Sequence, residues 1–368
     1  FSLNNNYKST YILSIIYKYM SEEMMQDIKQ EIHTQTNNKV KIAINGFGRI
    51  GRMIFRAGFE NSNLEFVAIN DIGGIESAKY YLEHDSAQGR FPHRVEIDGE
   101  YLVIGDKRVK VISQKDIHEL PWNEMNIDVV AECTGVFSDV EKARIHIERG
   151  AKKVLISAPG KGDCFYFVRG VNDHEYHGQD IVSNGSCTTN SMSALLFAIH
   201  KKFGVKQGMF STVHSVTGDQ RILDAEHKDF RRGRAAPFNI VPTTTGAAKA
   251  VVRLIPELEG KLHGVAYRVP TPTGSVTDLN IELNQEVSTE DLNNFIREIS
   301  KNELHGVLEY SEDDLVSTDI IQNSHSGIVD SKMTKVINGN LAKLMVWYDN
   351  EWGFSHRMVE VMQIMGRN

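Results

Sequence analysis

Residues 40–51 read Val40-Lys41-Ile42-Ala43-Ile44-Asn45-Gly46-Phe47-Gly48-Arg49-Ile50-Gly51. The run Val40–Asn45 predicts a strand, and Ile50, Met53, Ile54 and Ala57 follow at the i, i+3, i+4, i+7 spacing of an amphipathic helix. The Gly-x-Gly-x-x-Gly turn between them is a weak signal alone. It gains meaning from the strand before it, the helix after it, and Asp71, 20 residues beyond Gly51 at the end of a second strand-like run, Leu64–Ile69. In a dinucleotide site Gly46 permits the tight turn, Gly48 lets the backbone approach a pyrophosphate, and Gly51 lets helix and strand pack closely. The helix N-terminus supplies partial positive charge. Asp71 can accept hydrogen bonds from ribose hydroxyls, and its charge repels a 2′-phosphate. A glycine turn that only packs is the competing explanation, which strand, helix and acid together disfavour.

Outward from this stretch, a helix is predicted near Ile75–Glu83 and a β-hairpin across Arg94–Ile112, turning near Asp98-Gly99. Apolar runs at Asp128–Thr134 and Lys153–Ser157 flank a helix predicted at Asp139–Arg149. Strands alternating with helices imply a Rossmann-type, doubly wound parallel sheet. After about Asn184 the texture changes to a long helix, Cys187–Phe203, followed by longer β-like segments near Val205–Val216, Lys261–Val269, Ser275–Asn284 and Met333–Asp349, with a helix at Thr289–Glu303. This predicts an α+β catalytic domain on a mixed or antiparallel sheet. The last helix, Gly353–Gly366, has Met358, Val361, Met362 and Met365 on one face, which is expected to pack back on the first domain. The fold class is therefore α/β, with residues 39–186 and the C-terminal helix, residues 351–368, forming one domain and residues 187–350 the other. No repeat or low-complexity segment interrupts this order.

A chain of 368 residues exceeds one ordinary core. With 41% hydrophobic and 24% charged residues it has the balance of a compact soluble protein. The 41 Lys and Arg against 48 Asp and Glu leave a formal charge of −7, so neither nucleic acid nor an anionic membrane is expected as a partner. The most apolar short run, Tyr11–Tyr17, includes Ser14 and falls far below the roughly 18 residues of a membrane span. Three scattered cysteines, Cys133, Cys164 and Cys187, make no disulfide framework and favour a reducing compartment, expected to be the cytoplasm. No metal site is expected. Residues 1–38 are expected to be a mobile extension: they begin on Phe1, offer Met20 and Met24 as alternative starts, and lack the Arg-rich, acid-poor character of a targeting peptide.

Ser186-Cys187-Thr188-Thr189-Asn190 stands where the strand-like Asp180–Ser183 gives way to a helix. Ser and Thr are natural N-caps, and a cysteine in the first helical turn meets unsatisfied N–H groups and the positive dipole end. A neighbouring imidazolium would lower the thiol pKa further, so a thiolate at neutral pH is expected at Cys187. Cys133 and Cys164 read instead as small buried hydrophobes. Among 14 histidines, His214 leaves a strand for a polar, Arg-rich loop; taken alone, such a histidine reads as structural. Lys228, Arg221, Arg231, Arg232 and Arg234 crowd a loop that Asp224, Glu226 and Asp229 partly neutralise, which a solvated surface would also explain. Thr243–Ala248 offers hydroxyls and N–H groups ahead of a helix, and Arg268 projects from a strand with a guanidinium suited to phosphate. Together these point to small phosphorylated ligands.

With these motifs in this order, the chain resembles phosphorylating glyceraldehyde-3-phosphate dehydrogenases from about Lys39 to Gly366. The resemblance rests on Ile44–Arg52, Ser186–Asn190, Thr245–Ala250, Arg268–Thr271 and Trp347-Tyr348-Asp349-Asn350-Glu351-Trp352-Gly353. It implies Cys187 as nucleophile and His214 as its base, reversing the structural reading of that histidine. It also implies Thr217 and Arg268 on the substrate phosphate, and Ser186, Thr188, Thr245, Gly246 and Arg234 on inorganic phosphate or the neighbouring substrate. Arg49, Ile50, Asp71, Lys115, Ser157 and Asn350 match cofactor contacts, beside Gly46, Gly48 and Gly51, with Asn350 on the nicotinamide amide. The implied reaction converts D-glyceraldehyde 3-phosphate to 1,3-bisphosphoglycerate with NAD reduction, through a thiohemiacetal and a thioester, in glycolysis or gluconeogenesis. A homotetramer is implied as well.

The chain departs from the family at Ser191, Phe354, Lys115, Gly274, Thr277 and Gly185, and none of these removes a catalytic group. Asp71, Ile72 and Glu226 favour NAD over NADP, while Gly73-Gly74 resembles members that accept both. An erythrose-4-phosphate dehydrogenase is the alternative enzyme, with Thr245–Lys249 favouring the triose substrate. A non-catalytic redox-sensing or binding protein is the alternative of another class, opposed by Cys187, His214, Arg268 and Asn350.

Overall fold

The computed structural model describes residues 39–367; the expectation for residues 1–38 and the final Asn368 lie outside them. The elements in chain order are β1 (Val40–Asn45), α1 (Arg49–Gly58), β2 (Leu64–Asn70), α2 (Gly74–Glu83), β3 (Glu96–Asp98), β4 (Tyr101–Ile104), β5 (Lys107–Ile112), α3 (Trp122–Met125), β6 (Val129–Glu132), α4 (Val140–Ala143), α5 (Ile145–Glu148), β7 (Lys153–Ile156), β8 (Phe165–Tyr166) and β9 (Ile181–Ser183). They continue with α6 (Cys187–Phe203), β10 (Val205–His214), β11 (Val241–Thr244), α7 (Ala247–Leu254), β12 (Leu262–Arg268), β13 (Ser275–Leu283), α8 (Thr289–Lys301), β14 (Leu308–Ser311), β15 (Gly327–Ile337), β16 (Leu341–Tyr348) and α9 (Trp352–Arg367).

The first sheet runs β3-β4-β5-β2-β1-β6-β7-β9-β8, with β5 through β8 mutually parallel and a short antiparallel edge. Successive parallel strands lie on either side of β1, so the crevice at its carboxyl end is the switch point at which such sheets take ligands. The second sheet, β11-β12-β10-β13-β16-β15-β14, is mixed: β10/β12 and β14/β15 are parallel and the other pairs antiparallel. The largest apolar cluster of each half packs on its own sheet, and the first sheet carries two smaller ones, around Trp122 and around Val154 and Ile156. Helix α9 joins the large cluster of the first half, because Met358, Val361, Met362 and Met365 pack fully buried with Ile42, Ile44, Ile54 and Phe55.

The glycine loop behaves as its three positions require. Gly46 has φ +93°, a Cβ at Gly51 would stand 2.2 Å from the Gly46 carbonyl, and Gly48 faces open space. Below it, the fully enclosed Glu132 accepts hydrogen bonds from Asn45 Nδ2 (2.6 Å) and Thr134 N (2.8 Å) and faces His146 Nε2 at 3.1 Å. Trp122 Nε1 donates to His146 Nδ1 at 3.0 Å, which leaves Nε2 to donate to the carboxylate.

Three expectations need correction. Arg94–Ile112 makes a three-stranded meander and not one hairpin, because Gly105 (φ +63°) turns the chain a second time after Gly99 (φ +59°). Asp139–Arg149 forms two single turns, α4 and α5, parted at Arg144, with His146 of the second aimed into the Glu132 network. Met333–Asp349 contains the end of β15, the Asn338-Gly339 turn with both residues at positive φ, and β16. That dipeptide is a standard hairpin signal that the long apolar texture obscured.

Met362→Ala removes a side chain buried beneath β1 and should destabilise the protein by about 2–5 kcal/mol. Urea unfolding checks this, and an unchanged midpoint would show that α9 does not seal the first core.

Candidate active site

The N-terminus of α6 is set by Ser186, whose Oγ accepts from Thr189 N at 3.1 Å, and by Asn190, whose Nδ2 donates to the Asn184 carbonyl at 2.7 Å. Cys187 is thereby held as the first helical residue at the wall of a cavity of about 940 Å³ between the two sheets, a size suited to a dinucleotide and a small substrate. His214 ends β10, and its Nε2 lies 3.4 Å from Cys187 Sγ. Strands β10 and β12 pair in parallel with His214 opposite Arg268, which brings the guanidinium to the imidazole. Arg268 Nη1 is 2.7 Å from His214 Nδ1 and 3.2 Å from the Ser215 carbonyl, and that carbonyl is itself 2.8 Å from Nδ1.

Burial, and then the Arg268 charge, push His214 down to about 3, so the ring is neutral at pH 7. Burial also pushes the Cys187 thiol above its ordinary value, opposed by Arg268 and by hydrogen bonds from Thr188. Arg268 is a cation that favours the thiolate here. Cys133, beside Ser157, is pushed up by burial to about 12 and Cys164 to about 11, as befits small core residues.

Asn350 presents one end of its amide. Its Oδ1 accepts from Ser215 Oγ and Ser275 Oγ, both at 2.9 Å, and from Gly274 N at 3.2 Å. The remaining group, Nδ2, is the one suited to a ligand carbonyl. The preceding Asp349 is pinned by Thr273 Oγ1, Gln88 Nε2 and three backbone N–H groups. Gly274, one of the departures, has φ +87°, and a Cβ there would stand 2.4 Å from the Ser317 carbonyl.

Of the residues singled out in the sequence, Arg49, Ile50, Ser157, Ser186, Cys187, His214, Thr217, Arg268 and Asn350 all line the cavity, and Phe354 adds an aromatic wall. The others stand elsewhere. Arg49 is also committed to ion pairs with Glu351 and Asp85, which raise its pKa against the effect of burial. Asp71 braces the glycine loop, accepting from Phe47 N at 2.7 Å and Gly73 N at 2.9 Å. Lys115 is exposed on the loop after β5. The Thr188 hydroxyl is buried against Tyr348 Oη at 3.0 Å, Thr245 accepts from Ala247 N at 3.2 Å, and Gly246 stands at the N-cap of α7 outside the cavity lining. Arg234 pairs with Asp224 at 2.8 Å in a second cavity, and Arg221 of the same loop lines both that cavity and the first.

The sequence reading missed the role of Tyr348. Its hydroxyl bridges Thr188 Oγ1 on α6 and, at 2.6 Å, Thr212 Oγ1 on β10, and its ring meets that of His214 edge-on with centroids 6.0 Å apart. Its place in the period-two series Ala342, Leu344, Val346, Tyr348 on the buried face of β16 was the available signal.

A parallel sheet with a glycine turn at its switch point, facing a helix-capped cysteine, an imidazole and an oriented amide, defines a dinucleotide-dependent dehydrogenase with a cysteine nucleophile. Family models agree in detail: the NAD binding domain of glyceraldehyde 3-phosphate dehydrogenase matches residues 40–140, and the C-terminal domain of the same enzyme matches residues 186–350. The chain is 47% identical over 337 residues to the chloroplastic glyceraldehyde-3-phosphate dehydrogenase GAPA1 of Arabidopsis thaliana, covering 90% of this chain and 85% of that one. It is 47% identical over 326 residues to the enzyme of Priestia megaterium, covering 88% and 97%, and 46% identical over 323 residues to glyceraldehyde-3-phosphate dehydrogenase B of Aspergillus oryzae, covering 87% and 96%. The chain belongs to the glyceraldehyde-3-phosphate dehydrogenase family.

Two outcomes follow. Arg268→Gln removes the cation that draws the Cys187 thiol down, so iodoacetamide should alkylate Cys187 more slowly near neutral pH in the variant; equal rates would remove Arg268 from this role. Because the folded His214 titrates far below its ordinary 6.5, the unfolded chain takes up that proton first as pH falls, and stability is lost from about pH 6.5 downward. His214→Asn should therefore lose less thermal stability than the parent between about pH 7 and about pH 4.

Proposed function

We infer that this chain catalyses the NAD-dependent, phosphorylating oxidation of D-glyceraldehyde 3-phosphate to 1,3-bisphosphoglycerate, the reaction of the glycolytic and gluconeogenic enzyme. The observation that carries this reading is the 3.4 Å approach of Cys187 Sγ to His214 Nε2 inside the cavity that also holds Arg268 and Asn350.

The residues fit NAD. The open face of Gly48 leaves room for a pyrophosphate, Asp71 stands after β2 where a ribose would lie, and Asn350 keeps its amide N–H₂ for a carboxamide oxygen. When bound, NAD supplies the hydride acceptor. Cys187 Sγ adds to the aldehyde carbon, and its proton passes by way of His214 to the carbonyl oxygen, which becomes the hydroxyl of the thiohemiacetal. His214 then takes the hydroxyl proton of that adduct as the hydride leaves, and the carbon remains on sulfur as a thioester. Inorganic phosphate attacks the thioester; the C–S bond breaks, the acyl phosphate departs, and protonated His214 stabilises the tetrahedral oxyanion and returns a proton to sulfur.

Arg268 and Thr217 are the proposed holders of the substrate phosphate, and Ser186 and Thr188 the edge of the inorganic phosphate site, with Arg221 of the charged loop at the same cavity. Asp71 and the exposed Ile72 support a preference for NAD over NADP. The division into residues 39–186 with 351–368, and residues 187–350, is part of this reading and is supported by a separate large core on each sheet. So is a homotetramer: exposed Met209, Val213 and Tyr267 share the outer face of β10 and β12, and Ile222, Leu223 and Phe230 stand out on the charged loop, surfaces suited to further copies of the chain. Three free thiols support a reducing compartment, proposed to be the cytoplasm.

NADH formation from the triose phosphate should require both NAD and inorganic phosphate and should fall by several orders of magnitude in Cys187→Ser, because an alkoxide is far harder to generate than a thiolate. Turnover without phosphate, or a fully active serine variant, would refute the assignment. Erythrose 4-phosphate in the same assay separates the alternative enzyme.

A further inference from the structure

We propose that Gln220 is a positioning residue for the substrate phosphate: it clasps the backbone of Thr217 at two points and so holds the Thr217 side chain in register with Arg268. The inference deepens the reading above and rests on it for the placing of that phosphate at Thr217 and Arg268.

Thr217 follows the end of β10 by three residues, and main-chain bonds govern the approach to it. Val269 N donates to the His214 carbonyl at 2.9 Å, and Val216 N donates to the Thr271 carbonyl at 3.1 Å. The chain is therefore laced to the segment that follows Arg268 as far as Val216. At Thr217 the lacing ends, and the chain turns back through Gly218 and Asp219. Both main-chain polar groups of Thr217 then pass to one residue: its carbonyl accepts from Gln220 N at 3.0 Å, and its N–H donates to Gln220 Oε1 at 3.3 Å. The first bond closes a four-residue turn and fixes the peptide after Thr217. The second, made by a side chain, fixes the peptide before it. With both peptides held, the direction of the Thr217 Cα–Cβ bond is set. Asp219, inside the turn, accepts from Arg232 Nη1 at 2.6 Å, which anchors the turn to the charged loop. Gln220, Thr217 and Arg268 all line the main cavity.

Folding alone gives this position little use for a glutamine. Gln220 is only 8% exposed, and its Nε2 is enclosed with no acceptor among the described residues. A buried amide with an unpaired donor costs stability. Methionine, unbranched and of similar length, would fill the same space without that cost. What the amide has and the thioether lacks is a strong acceptor for Thr217 N. A side chain that is expensive to bury and whose one satisfied atom grips a phosphate-holding residue serves the site, and the fold bears the cost.

Gln220→Met, Thr217→Ala and the double variant, made as full-length enzyme, test this with NADH formation from the triose phosphate at saturating NAD and inorganic phosphate. Gln220→Met should raise KM by roughly tenfold, the loss expected when one hydrogen bond to a charged group is misplaced, with a smaller effect on kcat. Glycerol 3-phosphate, which has the phosphate but no aldehyde, should inhibit Gln220→Met with an inhibition constant raised by the same factor. With unphosphorylated glyceraldehyde, kcat/KM should fall far less than with the triose phosphate. The melting temperature of Gln220→Met should equal or exceed the parent's, an outcome that a merely structural glutamine would not give. Because Gln220 acts through Thr217, adding Gln220→Met to Thr217→Ala should raise KM no further. A parental KM in Gln220→Met, a melting temperature several degrees below the parent's, or a second increase of full size in the double variant would each overturn the proposal. Thr217→Ala separates the two readings. If it too keeps the parental KM, the phosphate lies elsewhere and the placement falls together with the proposal; if its KM rises while that of Gln220→Met does not, the proposal falls alone.

Discussion

The phenol of Tyr348 is the constraint on which the site depends. Its hydroxyl is shared by Thr188 in the first turn of α6 and Thr212 two residues before the end of β10, so one buried oxygen ties the nucleophile's helix to the base's strand. Helix and strand come from different layers of the second sheet's domain, and side-chain packing alone would let them slide by several tenths of an ångström. A pair of hydrogen bonds in a water-free setting does not allow this. The ring beneath the hydroxyl also limits the tilt of His214, so the sulfur–nitrogen distance is set from two sides.

A second device carries the same rigidity across the cavity. Asp349, Asn350 and Glu351 are consecutive, yet each serves a different partner. Asp349 gathers Thr273 and Gln88 from both halves of the chain, Asn350 is oriented by Ser215 and Ser275, and Glu351 grips Arg49 in the glycine loop. The groups expected to meet opposite ends of the cofactor are therefore joined by one short stretch of backbone. The arrangement explains why so polar a run, Trp-Tyr-Asp-Asn-Glu-Trp, lies almost wholly inside: each buried charge has hydrogen-bonding partners of its own, the condition under which burial is tolerated.

How much of this could be read in advance follows from the range of the interactions. Helix α6 was legible at both ends because its signals are local: a serine cap at Ser186 and Gly204 at positive φ after Phe203. The glycine turn and Asp71 were legible for the same reason. The Arg268–His214 contact was not, since it is created by parallel pairing of strands 54 residues apart, and nothing in either segment announces its register. In the charged loop Arg221 lines both cavities while Arg234, paired with Asp224, lines the second alone, a difference that the crowding of like residues in the sequence does not show. The Asn338-Gly339 turn was written in the chain and passed over, because the strands on both sides share one apolar texture.

The placement of α9 has a consequence in time. A ribosome releases the strands of the first sheet early, but the helix that covers β1 and α1 is made last, after the whole of the second sheet. Until then the groove later filled by four buried apolar side chains faces water. The nascent chain must travel through more than half of its synthesis with an open seam, the condition in which a folding chain is most exposed to wrong partners. Closing that seam waits for α9, so the dinucleotide half matures only when the catalytic half already exists.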